Sequence, residues 1–192
     1  MHAMRKFYTN YDSIHRFTLS LDYHQNELKC AFCLKNNQFV SHGIVYKQCP
    51  DSEREKVGKR IFCSNRYGRT GCGRTFQLYV ATEIPSLQYS TSHLFVFISL
   101  LMTNMTIADS YFEATQQTEI EPRNAWRWLD KLMRKLIEYR TFLKVPLLHP
   151  SLPFKQRALR LKHLLPSLSA LISKIMDNPC SKFQFIQQSA FI

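Results

Sequence analysis

Four cysteines constrain this chain more than any other feature. Cys30-Ala31-Phe32-Cys33 is a C-x2-C pair, and Cys63 and Cys72 form a second pair around Ser64-Asn65-Arg66-Tyr67-Gly68-Arg69-Thr70-Gly71. Zinc takes four thiolates tetrahedrally, and two pairs on separate turns satisfy that geometry. The segment between them has hairpin character. Residues 39–48 and 59–63 read as strands joined by a polar turn at 49–55, and 74–80 reads as a third strand rich in aromatic and β-favouring residues. So small a sheet has little core of its own, and a metal would supply much of its folding energy. The expectation is a ribbon holding one Zn2+ through Cys30, Cys33, Cys63 and Cys72. The second spacing is wider than the usual C-x2-4-C, so Cys49 or His42 stands as an alternative ligand. The competing reading is four free, buried thiols. Cys49, at the hairpin tip, is expected to be a bystander, and Cys180 an ordinary thiol.

The chain is 192 residues long, which suits one or two small domains rather than a large catalytic barrel. Its 45% hydrophobic content is enough for a core and argues against wholesale disorder. The net charge of +12 favours a polyanionic partner, nucleic acid before an acidic membrane surface. The longest nearly apolar run, 94–102, is far short of the roughly 20 residues needed to span a bilayer. The first residues, Met-His-Ala-Met-Arg-Lys-Phe-Tyr, lack the apolar stretch of a secretory signal. A soluble intracellular protein is expected, and in a reducing compartment cysteines serve as metal ligands or buried thiols before disulfides.

Charge is distributed unevenly. Residues 86–121 carry no Lys or Arg and four acids, whereas 122–145 carry seven basic and two acidic groups. The first stretch reads as a mostly apolar helix over 89–103, then a short acidic helix over 106–115 with Thr106 as N-cap, then a turn at 116–120. A third helix starts at Glu121-Pro122, where proline is tolerated in the first turn. On a helical wheel of 123–143, Ala125, Trp126, Leu129, Leu132, Met133, Leu136, Ile137 and Leu143 share one arc. Arg123, Asn124, Arg127, Lys131, Arg134 and Lys135 share the opposite one, with Trp128 on its border. Arg pairs bidentately with guanine and Asn with adenine in the major groove, and the N-terminal residues of a reading helix reach the bases. Arg123, Asn124, Arg127 and Lys131 are therefore the DNA-contacting candidates. The competing reading is an ordinary solvated helix face.

These residues resemble a known family. Cys30-x2-Cys33, then Gly58-Lys59-Arg60-Ile61-Phe62-Cys63, then Cys72-Gly73-Arg74-Thr75-Phe76 is similar to the N-terminal zinc ribbon of bacterial insertion-sequence transposases. The later Thr106-Ile107-Ala108 and Ala125-Trp126-Arg127-Trp128-Leu129 look like the helix-turn-helix attached to that ribbon. The resemblance covers about residues 28–140. It implies zinc, double-stranded DNA, a mobile-element origin and a bacterial, cytoplasmic, nucleoid-associated protein. It does not imply transposase catalysis. The second knuckle is six residues longer than C-x-x-C, which places Arg66, Tyr67 and Arg69 on an extended loop; Arg66, Arg69 and Arg74 are expected to clamp phosphates.

An enzyme is not expected. Two-metal transposition needs clustered carboxylates on a substantial fold, and the Asp and Glu here are scattered. No phosphate loop, nucleophile elbow or H-E-x-x-H is present. Prolines at 146, 150 and 153 read as a linker, and 155–176 as helix interrupted at Pro166. There Leu161, Leu164 or Leu165, Leu168, Leu171 or Ile172, and Ile175 fall at heptad-like spacing. They are expected to pack back on the core or, as the second reading, to form a homodimer; a membrane-surface helix through Arg157, Arg160 and Lys162 is a further alternative. The expected fold is α+β: an irregular or partly helical arm (1–27), a zinc ribbon (28–85), a helix-turn-helix domain (86–145), and a linker with a C-terminal helical tail (146–192). The expected function is zinc-dependent, sequence-specific DNA binding, as a transposase accessory or repressor, with no membrane or small-molecule partner. The rivals are a protein-interaction module that uses the ribbon and leucine-rich tail, and an RNA-binding ribbon.

Overall fold

In the computed structural model, β2 (Phe39–Cys49) and β3 (Ser52–Cys63) form a long antiparallel hairpin, and β4 (Thr75–Val80) pairs antiparallel with β3. The structure describes residues 6–22, 28–50, 52–116, 123–143, 157–173 and 176–192. The chain is mixed α+β. A short N-terminal strand, β1 (Phe7–Tyr8), pairs parallel with β4 and completes a four-stranded sheet of order β1-β4-β3-β2. The hairpin turn is tighter than the expected 49–55, because Cys49 already pairs with Ser52. β-branched and aromatic residues in β2 and β3 hold the pairing through three register shifts between the two strands, one of them between Ser41 and Gly43. At Gly58 a Cβ would lie 2.0 Å from the Leu78 carbonyl oxygen, so only glycine lets β3 and β4 close here.

The first residues are an integral part of the fold. The Asn10 side chain accepts from the Ser13 backbone N–H at 2.9 Å and starts helix α1 (Tyr11–Asp22). Ile14 and Leu21 of α1 pack on one sheet face with Phe39, Ile61 and Leu78, and this cluster also contains Cys30 and Cys63. On the same face Lys59 Nζ lies 2.7 Å from His15 Nδ1 and donates to Thr18 Oγ1 at 2.9 Å. Thus the cysteine-bearing half of the chain gains a small apolar core from α1.

The helices α2 (Thr91–Met102), α3 (Ile107–Thr115), α4 (Arg123–Glu138), α6 (Arg157–Ile172) and α7 (Pro179–Gln187) build the larger core. The expected Thr106 cap is present: its hydroxyl oxygen accepts from the Asp109 N–H at 3.1 Å. The single helix expected over 123–143 is divided, α4 ending at Glu138 and a short α5 spanning Arg140–Leu143. Trp128 corrects the wheel reading. It is buried among Tyr89, Phe97 and Tyr111, with the Tyr111 and Tyr89 ring centroids 5.3 and 5.4 Å away, while Trp126 is half-buried. Packing from α2 and α3 widens the buried stripe beyond what α4 shows alone.

Helix α6 is not interrupted at Pro166 but runs through it. Pro166 is exposed, while Leu161, Leu164, Leu165, Leu168, Leu171 and Ile172 are buried in the shared core. That apolar burial outweighs the roughly 3 kcal/mol that an interior proline costs. These leucines pack back on the chain itself, against α2 and α4, and are not an exposed dimer seam. The last element, α7, starts at the Asn178 cap and returns to the sheet, where Phe185 joins Phe7, Val45, Val57 and Tyr79. Among the described residues, no helix is long and apolar enough to cross a membrane. The expected Pro122 start of α4, most of the turn at 116–120, the prolines at 146–153 and Ile175 lie outside the described residues.

Candidate functional site

The four cysteines singled out in the sequence converge. The sulfurs of Cys30, Cys33, Cys63 and Cys72 all lie within 4.8 Å of one another, a cluster that can hold one metal ion. Cys30 Sγ is 3.7 Å from Cys72 Sγ, and Cys33 Sγ is 3.7 Å from Cys63 Sγ. Both distances are far beyond a disulfide bond of about 2.05 Å, and the pairing crosses between the two sequence motifs. Cys30 and Cys63 are buried, while Cys33 and Cys72 are half-buried. His42 and Cys49 are elsewhere. His42 lies against Phe62 with its ring tilted, and the Cys49 thiol points to Glu55 Oε2 at 3.4 Å.

Local backbone geometry explains how a pair spaced by eight residues behaves as a compact knuckle. The Gly71 N–H donates to the Ser64 carbonyl at 2.7 Å, and the Gly73 N–H to the Cys63 carbonyl at 2.9 Å. These bonds pinch off 65–70 as a side loop and leave Cys63-Ser64 facing Gly71-Cys72, the functional equivalent of C-x-x-C. A Cβ at Gly71 would stand 2.4 Å from the Ser64 carbonyl oxygen and 2.7 Å from Cys63 Sγ. Glycine is required there by space. The Cys72 N–H points at Cys63 Sγ from 3.4 Å, an orientation that favours the thiolate. Burial, against that bond, pushes the Cys63 thiol up to about 12 when no cation is near.

The first knuckle is closed by the Leu34 N–H to the Cys30 carbonyl (2.9 Å) and the Cys30 N–H to the Lys35 carbonyl (3.0 Å). Two cations secure the side loop to this region. Arg69 Nη1 donates to the carbonyls of Asn37 (2.8 Å) and Phe39 (3.3 Å), and Lys35 Nζ to that of Thr70 (2.7 Å). Arg69, expected on phosphate, therefore has a structural task. Arg74 is exposed and lies over the Phe32 ring at 3.9 Å, and Arg66 is exposed with its guanidinium carbon 5.9 Å from the Phe62 centroid.

The DNA-contacting candidates on α4 lie on the side away from the core. Arg123, Asn124 and Arg127 are exposed and Lys131 is half-buried. Ala125, Leu129, Leu132, Met133 and Leu136 are buried on the opposite side. The structure does not bring these residues into the cysteine cluster; they form a second surface carried by the helical core.

Sequence reasoning missed one buried polar site. Lys47 on β2 and Glu83 after β4 form an ion pair of 3.5 Å, with both side chains almost wholly buried. Lys47 Nζ also donates to the Ile84 carbonyl, and Glu83 accepts from the Thr91 N–H that opens α2 at 3.0 Å. Gln184 of α7 donates to the carbonyls of Ala81 and Glu83, each at 2.8 Å. Burial lowers the Lys47 pKa and raises that of Glu83, and each partner opposes the other's shift. Cys180 sits beside this pair, buried, and burial pushes its thiol up. The site ties the sheet to the helical core. Its only sequence signal is a lysine at an otherwise buried position of an alternating strand.

No protein-family model matches the chain, and no curated protein or solved structure matches it.

Proposed function

We propose that this protein is a zinc-dependent, sequence-specific DNA-binding protein of mobile-element origin, acting as a transposase accessory or repressor. The observation that carries the reading is the division of α4 into a buried apolar side and an exposed side bearing Arg123, Asn124 and Arg127. These residue types make the bidentate contacts that read guanine and adenine in the major groove. α3, capped at Thr106, precedes α4 and packs against it, as the first helix of a helix-turn-helix does. The basic charge of the whole chain supplies the phosphate attraction such a protein needs.

Zinc is the metal this site suits. Four thiolates at a Zn–S length of about 2.3 Å place neighbouring sulfurs about 3.8 Å apart in a tetrahedron. The two 3.7 Å cross-pair distances agree with that edge. Cys30, Cys33, Cys63 and Cys72 fill all the positions of such a site, which makes its role structural rather than catalytic. When bound, zinc would lock the two knuckles together and hold the ribbon's basic side chains in place.

Selection from a random duplex DNA pool by the zinc-loaded protein at physiological salt tests the reading. An enriched motif is the expected result, with affinity falling steeply as salt rises. Retention without enrichment would remove sequence specificity. No retention would overturn DNA binding and leave the protein-interaction reading.

A further inference from the structure

The sheet has one uncovered half-face. Side chains in register across neighbouring strands share a face, and on one strand that face recurs at every second residue. Arg60 pairs with Gln77, and Phe62 with Val40 and Thr75, so all five stand on the side opposite Ile61, Phe76 and Leu78. The latter side is covered by α1. At the far end of the open side, Val45 and Tyr79 are covered by Met176 and Phe185. The end nearer the cysteines is not covered: Arg60, Thr75 and Gln77 are exposed.

This half-face is aromatic and cationic. The His42 ring lies on Phe62 with centroids 5.4 Å apart and an interplanar angle of 32°. The Arg66 guanidinium approaches the same ring, and His42 and Arg66 are both exposed. Tyr67 follows on the side loop with φ of 52° and 99% of its surface exposed. An aromatic side chain held wholly in water at a strained backbone position has no packing role to explain it. From residue 28 to residue 80 the only carboxylates in the sequence are Asp51, Glu53 and Glu55. Stacking planes interleaved with cations and free of acids are complementary to a single nucleic-acid strand: bases stack on His, Tyr and guanidinium planes while cations meet phosphates.

We propose that this half-face, through His42, Arg60, Phe62 and Arg66, with Tyr67 of the adjoining side loop, binds unpaired, single-stranded DNA. The choice of DNA over RNA rests on the duplex-DNA reading of α4; the stacking surface itself does not use the α4 residues. A protein with both surfaces would engage a duplex and an adjoining unpaired strand.

The test is fluorescence anisotropy of a labelled oligo-dT, about 12 nucleotides long, with the full-length, zinc-loaded protein at physiological salt. The triple variant His42→Ala/Arg66→Ala/Tyr67→Ala alters exposed side chains and should fold normally. It is expected to bind oligo-dT at least about tenfold more weakly, while the double variant His42→Ala/Tyr67→Ala, which keeps Arg66, weakens oligo-dT and retains the parent's affinity for the selected duplex. Phe62→Leu retains apolar packing and is expected to weaken oligo-dT severalfold. No binding of oligo-dT by the parent, or equal binding by the triple variant, would overturn the proposal. Tighter binding of oligo-rU than of oligo-dT would overturn its assignment to DNA. Arg127→Ala separates the two readings: loss of duplex binding with oligo-dT binding intact supports both, and unchanged duplex binding counts against the α4 reading alone.

Discussion

Leu34 and Gly73 occupy the same position in the two cysteine pairs: each directly follows the second thiol of its pair, and each has left-handed backbone, with φ of 60° and 73°. The two knuckles are thus built alike, although one is C-x2-C and the other is interrupted by a loop. Left-handed backbone costs a residue with a Cβ roughly 1–2 kcal/mol, whereas glycine adopts it freely. Gly73→Ala should therefore destabilise the zinc-loaded protein by about 1 kcal/mol, since strain is added while the nearest side-chain atom stays 3.4 Å away. Leu34→Gly should stabilise it by about 0.5 kcal/mol, the strain relief slightly exceeding the entropy cost of glycine. Denaturant unfolding of both variants measures the pair, and changes of the same sign would contradict the equivalence.

Gly71 makes a sharper demand, because there the obstacle is space. Gly71→Ala would drive a methyl group into the Ser64 carbonyl and Cys63 Sγ and force the second knuckle open. We expect the variant to lose most of its zinc in a competition titration with a chromophoric chelator. Gly68→Ala, where nothing lies within 4 Å, should keep its full metal content despite a positive φ of 79°. Equal zinc retention by both would show that the pinch at Ser64 and Gly71 does not shape the site.

The Lys47–Glu83 pair yields a pH-dependent prediction. Lys47→Met leaves Glu83 buried without its counter-charge and should cost about 3–5 kcal/mol at neutral pH. Burial already holds the Glu83 carboxyl above its ordinary range, and loss of the lysine raises it further. The folded state then binds a proton more readily than the unfolded state in the window from the ordinary carboxylate pKa up to the raised one. Stability is consequently lost as pH rises through that window, and the penalty relative to the parent shrinks as pH falls. Thermal unfolding of parent and variant at pH 5 and pH 8 provides the check. A penalty independent of pH would mean that the carboxylate is not the source.

Arg127 and Trp128 are neighbours on α4 with opposite surroundings, one exposed and one packed against Tyr89 and Tyr111. Trp128→Ala should cost about 3–5 kcal/mol of stability. Arg127→Ala should leave stability unchanged and cost about 1–3 kcal/mol in binding the preferred duplex, with less loss on other sequences. Uniform loss on every sequence would reassign Arg127 from bases to phosphate.

The sequence by itself determined the four cysteines that cluster, the three main strands, the Thr106 cap and the exposed basic side of α4. Each is a local signal: thiol spacing, alternation along a strand, a hydroxyl before a helix, a 3.6-residue period. Tertiary structure decided what depended on neighbours. It made Trp128 a core residue because α2 and α3 bring Tyr89, Phe97 and Tyr111 to it. It carried α6 through Pro166, since the buried leucines on either side gain more than the missing hydrogen bond costs. It made Arg69 a clamp on two carbonyls, a task the sequence did not signal, because the side loop folds back against the first knuckle. It placed Lys47 beside Glu83, residues from different segments whose attraction no local pattern encodes. Local periodicity is set by the backbone's own geometry, while long-range pairing depends on which surfaces meet when the chain closes.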